Sequence, residues 1–127
     1  MERLFLTLAG INGFLGVALG AFGAHGLRNS LVNVSDGARR LEVWETAAHY
    51  QLLHALALGL VAYLGTRTEG PIATVAGYLF QAGIVIFSGS LYALSLTGVR
   101  VLGAITPLGG LCFLAGWVAV AIAASKL

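Results

Sequence analysis

Charge is what this sequence has least of. It carries seven Lys and Arg and five Asp and Glu in 127 residues, 9% of the chain, where a soluble domain usually carries about a quarter. Cysteine occurs once, so no intramolecular disulfide can form, and Cys112 reads as a packed apolar thiol. No CxxC, HExxH or phosphate-cradling loop is present, and no Ser–His–Asp or Cys–His arrangement stands out by spacing. A net charge of +2 without a basic tract argues against nucleic acid as a partner.

What is there is apolar: 58% of the residues are hydrophobic and the mean hydropathy is +0.91. The charges fall in short clusters, leaving Leu4–Leu27, Thr46–Thr66, Gly70–Val99 and Val101–Ser125 with none. Each stretch reaches the roughly 20 residues that a helix needs to cross hydrocarbon. The expected fold is all-α, one integral membrane domain over residues 1–127, with transmembrane helices at about 4–25, 46–65, 71–96 and 101–124. Tight connections around Arg67 and Arg100 favour an up-down-up-down bundle. The longest connection, Arg28 to Glu45, holds a helix start at Ser35 or Asp36 and a short interfacial extension before the second span. Trp44 suits that depth. Arg3 before an apolar run resembles a signal peptide, but the run is long and glycine-patterned and reads as a retained helix. Three Lys and Arg on one side (Arg3, Arg67, Lys126) against four on the other (Arg28, Arg39, Arg40, Arg100) leave the orientation open.

In lipid, helices associate by close packing and hydrogen bonds rather than by burial from water. The first span has a small-residue seam for this, Ala9, Gly13, Gly16, Gly20 and Gly23, which predicts a central position for that span. Asn12 borders the seam and needs an interhelical partner, with Gln81 a candidate across the bundle. Gln81, Ser88, Tyr92 and Ser95 form a polar stripe on the third span. Pro107, followed by Gly109 and Gly110, predicts a kink in the fourth, either for packing or as a ligand-lined break.

Topology places the polar residues mostly at one end of the bundle. His25, Arg28, Glu45, His49, Tyr92 and Arg100 are the candidate cluster. It has three readings: a structural one, in which Glu45 accepts from His49 and His25 caps carbonyls at the end of span one; a divalent-metal site of His25, Glu45 and His49; and a site for a lipid headgroup or small polar ligand, with Arg28 and Arg100 supplying charge.

The blocks "GAFGAHGL", "WETAAHYQLLHALAL", "FSGSLYALSLTG" and "LGAITPLGGLCFLAGW" resemble the small inner-membrane family catalogued as domain of unknown function 423, which is related to the eukaryotic transmembrane protein 256. The resemblance covers nearly the whole chain and implies a multi-pass protein of the bacterial inner membrane. It implies no activity. The expectation is therefore a non-enzymatic membrane protein without a cofactor, binding membrane lipid, a small ligand or a partner at its polar end. A small transporter or channel component acting as a homo-oligomer is the alternative, with the Gln81–Ser88–Tyr92 stripe and the Pro107 break as its only candidate path.

Overall fold

The computed structural model describes all residues, 1–127, and is helical with no strands. Four helices are long and apolar enough to span a membrane: α1 (Glu2–Leu31), α2 (Gly37–Arg67), α3 (Ile72–Thr97) and α4 (Arg100–Ala124). Their outer faces carry large exposed apolar side chains such as Phe14, Leu56, Leu111 and Leu114. Such a surface is costly in water and neutral in lipid.

The centre of the bundle is α2, not α1. Of α2's apolar segment 56% is buried, against 17% of α1's. The small-residue seam of α1 serves one neighbour only. Gly16, Gly20 and Gly23 lie against Leu52, Ala48 and Trp44 of α2, whereas Gly13 has no neighbour where a side chain would stand. Those contacts descend along α2 as they ascend along α1, so the two helices are antiparallel. Alanines at 47, 48, 55, 57 and 62 keep α2 slim and are themselves buried, which lets three helices approach it. The main core joins Phe5, Leu58, Val61, Phe80, Ile84 and Phe113.

The first helix outlasts its expected end. It widens at Gly23–Leu27, where the Arg28 N–H reaches back five residues to the Gly23 carbonyl, and then continues to Leu31. His25 therefore terminates nothing. A similar widened turn occupies Ile84–Ser88 in α3. The turn into α2 closes through Val34 N–H to Leu31 O and Gly37 N–H to Val34 O. A side chain on Gly37 would overlap the Leu31 carbonyl, so this turn requires glycine.

Pro107 causes no kink. The α4 chain runs as a tight 3-10 turn over Arg100–Ala104 and becomes α-helical at Thr106, with Pro107 in the first turn. There its missing N–H leaves no helical bond unmade. The Ser90 hydroxyl pairs with that of Thr106 and fixes this start against α3.

Candidate functional site

Two polar systems occupy the interior and one end of the bundle. The interior one is a chain of amides. The Tyr92 hydroxyl donates to Gln51 Oε1 at 2.7 Å, Gln51 Nε2 to Asn12 Oδ1 at 3.1 Å, and Asn12 Nδ2 to Gln81 Oε1 at 2.9 Å and to the Leu8 carbonyl. It ties α3 to α2, α2 to α1, and α1 back to α3. Asn12 and Gln51 are buried, and no buried side-chain polar atom in the protein lacks a partner. Within hydrocarbon that satisfaction is obligatory. Ser88 is sealed in the same way, donating to the Ala47 carbonyl at 2.8 Å. Gln81, Ser88, Tyr92 and Ser95 of the third-span stripe thus each make a hydrogen bond to a neighbouring helix.

The second system is arginine-rich and sits where the N-terminal part of α2 meets the end of α3. Arg40 donates from Nε to the Ser95 carbonyl and from Nη2 to the Leu96 carbonyl, both at 2.8 Å. Ser95 returns a bond from its hydroxyl to the Arg40 carbonyl. The fork thus caps the last carbonyls of α3, which ends at Gly98 in the left-handed conformation (φ 72°). Asp36 lies 3.6 Å from Arg40. Around this clamp opens a cleft of about 410 Å³ that Arg39 and Arg100 also line. Neither has a carboxylate within salt-bridge distance or a side-chain hydrogen bond. Three arginines and one carboxylate thus line this concave site, which gives it an excess of positive charge.

The candidate cluster read from the sequence does not assemble as one group. Arg28 turns to Glu45 (3.8 Å), an exposed pair on the outside of the α1–α2 contact. Glu45 thus does not accept from His49, and such an exposed pair contributes little stability. His25 is exposed and makes no hydrogen bond, so it caps no carbonyl. His49 is exposed beside Tyr50. His25, Glu45 and His49 form no metal-ligand group. Tyr92 belongs to the interior chain, and only Arg100 reaches the arginine-lined cleft.

Trp44 faces the bundle interior rather than its outer surface. It is 3% exposed, packs edge-on against Phe22 and Tyr92, and donates from its indole to the Leu19 carbonyl at 2.7 Å.

Arg39, Arg40 and Gln51 also shape these two systems, and they and the buried His54 stood outside the candidate cluster read from the sequence. An amide inside a charge-free span needs a partner, and that signal, which marked Asn12, applied equally to Gln51. Nothing in the spacing distinguished Arg39 and Arg40 from ordinary interfacial charges. His54 is buried, takes a hydrogen bond from the Trp117 indole at Nε2 (3.1 Å) and meets the Tyr50 carbonyl at Nδ1 (2.9 Å). The indole can only donate, so Nε2 is the bare nitrogen and Nδ1 carries the proton. His54 also stacks on Phe113 with ring centroids 3.6 Å apart.

Fold and site together define a multi-pass membrane protein: four apolar helices, a sealed amide core, and an arginine cleft at one end. The chain belongs to the family described as Protein of unknown function (DUF423), which matches residues 19–110. It is similar to the UPF0382 membrane protein YwdK of Bacillus subtilis, 47% identical over 125 residues and 98% of both chains. It is also similar to UPF0382 membrane proteins of Staphylococcus saprophyticus (43% identical; 98% of this chain and 99% of the relative) and Staphylococcus epidermidis (47% identical; 98% and 97%). No solved structure matches the chain.

Proposed function

We propose that this is a non-enzymatic protein of the bacterial inner membrane whose polar end holds the headgroup of an anionic lipid. One observation carries the reading: Arg39 and Arg100 line a cleft beside the Arg40 clamp without carboxylate partners of their own. A guanidinium fork matches the oxygens of a phosphate ester, and arginine at the membrane surface gains about 1 kcal/mol each from anionic lipid. Arg40 is already committed to α3 and builds the wall, which leaves Arg39 and Arg100 to meet the ligand.

Thermal unfolding in neutral detergent tests this, because a ligand that binds only the folded protein raises the melting temperature, by about 2.7 kcal/mol of stability at 100 times Kd. Short-chain phosphatidylglycerol is expected to raise Tm and phosphatidylcholine is not. The Arg39→Gln/Arg100→Gln variant is expected to lose the response, while Arg28→Gln keeps it. Inorganic phosphate in a parallel arm separates a lipid headgroup from a free anion: stabilisation by phosphate equal to that by the lipid would reassign the cleft to a soluble ligand. A phosphatidylglycerol response unchanged in the double variant would overturn the reading.

A further inference from the structure

The arginine cleft does not stop at the headgroup. Its lining residues Arg39 and Val43 also line a trough of about 620 Å³, in which Glu42, Glu45, Thr46, His49 and Tyr50 follow. Tyr50 in turn lines a third cavity of about 540 Å³ between α2, α3 and α4, walled by His54, Phe87, Pro107, Phe113 and Trp117. Arg39, Val43, Thr46, Tyr50 and Leu53 fall at offsets 0, 4, 7, 11 and 14 on α2, one face of a helix. The three cavities thus follow one another along α2, each sharing a lining residue with the next.

The chemistry along this groove changes from guanidinium, through a polar stretch that includes the carboxylates of Glu42 and Glu45, to aromatic rings. From Arg39 to His54 the helix rises about 22 Å at 1.5 Å per residue. One leaflet of a bilayer, headgroup layer included, is about 20–22 Å thick. Phosphate, glycerol esters and acyl chain occur in the same order over the same depth. The aromatic end is preformed: Trp117 is pinned to His54, His54 is stacked on Phe113, and Tyr50 packs against Phe87 with ring centroids 4.7 Å apart. Gly110 keeps this end open, because nothing lies within 4 Å of where its side chain would begin.

Building on the headgroup reading, we infer that the groove is a site for one whole anionic phospholipid, with its phosphate at Arg39 and Arg100 and an acyl chain in the aromatic cavity beside Trp117. The headgroup then decides which chain occupies the cavity. This distinguishes a site from the lipid annulus, where chains exchange without regard to charge.

Quenching of tryptophan by brominated acyl chains reads this coupling directly. Trp117 lines the cavity and is 39% exposed, whereas Trp44 is 3% exposed and gives a constant background. In phosphatidylcholine bilayers, a small fraction of chain-brominated phosphatidylglycerol is expected to quench about threefold more than the same fraction of chain-brominated phosphatidylcholine, since a selective site fills ahead of the annulus. Arg39→Gln/Arg100→Gln should bring the two lipids level. Gly110→Phe, which fills the cavity, should do the same while keeping the Tm response to short-chain phosphatidylglycerol. Equal quenching by both lipids in the unmodified protein, with an arginine-dependent Tm response intact, would overturn the inference and leave the headgroup reading standing. Loss of both signals would overturn both.

Discussion

Asn12 on α1 and Gln81 on α3 meet across the bundle through a 2.9 Å amide hydrogen bond, one link in a chain that continues to Gln51 and Tyr92. The chain is more than local adhesion, since each of its three side-chain to side-chain links crosses between helices. Replacing Asn12 by Leu strands Gln51 Nε2 and Gln81 Oε1 in an apolar interior. The expected loss of stability is about 1–3 kcal/mol. A double-mutant cycle of Asn12→Leu with Gln81→Leu, followed by unfolding in detergent, is expected to show a coupling of about 0.6 kcal/mol and at most about 1.7. Zero coupling would remove this link from the forces holding α1 to α3.

Two adjacent glycines on α4 should respond to alanine with opposite signs. A Cβ on Gly109 would run into the backbone of Phe87 on α3, which cannot yield without separating the helices, whereas one on Gly110 meets open space. Gly109→Ala is expected to destabilise by about 1–3 kcal/mol, as overpacking does. Gly110→Ala should be neutral or stabilise by up to about 1 kcal/mol through helix propensity. Melting temperatures of the two variants side by side provide the check.

Arg40→Lys should loosen the end of α3 even though the charge is kept. Lysine offers a point charge where two carbonyls, of Ser95 and Leu96, are held by a planar fork. The site is partly solvated, so the expected cost lies near the low end of charge-assisted bonds, about 1.5 kcal/mol. Amide hydrogen exchange is expected to accelerate at Gly98, whose N–H closes the helix onto the Leu94 carbonyl at 2.7 Å. Unchanged protection there would mean that Arg40 is not the cap.

Trp44 should be silent to water-soluble quenchers. In a Trp117→Phe background its fluorescence is expected to resist iodide and acrylamide, because the indole is enclosed by Phe22, Tyr92 and the Leu19 carbonyl. Quenching close to that of free indole would contradict this enclosure of Trp44.

Much of the fold was legible in the sequence, and for a simple reason. Hydrocarbon excludes charge, so the four charge-free runs Leu4–Leu27, Thr46–Thr66, Gly70–Val99 and Val101–Ser125 mark the helices almost without further argument. Asn12 and Gln81 were legible as partners because an amide in lipid must find one. Helix ends were less so. Arg28 ends an uncharged run without ending a helix, since α1 carries on into the interface where water can solvate Arg28. Which helix is central was misread, because a glycine seam records close approach to one neighbour, whereas burial on several sides is recorded by the alanines of α2. The polar end was sought near the start of α2, and its members separate there: Arg28 and Glu45 point outward together, and the arginine cleft is lined by Arg39, Arg40 and Arg100. That division follows from rotation about the α2 axis and from where α3 terminates, and neither is fixed by residue spacing within one span.

The headgroup cleft is tested most directly by native mass spectrometry of the protein released from bilayers of equal phosphatidylglycerol and phosphatidylcholine. The unmodified chain is expected to carry one phosphatidylglycerol in preference to phosphatidylcholine, and Arg39→Gln/Arg100→Gln to retain the two equally. Undiminished selective retention of phosphatidylglycerol by the double variant would contradict the assignment of the cleft.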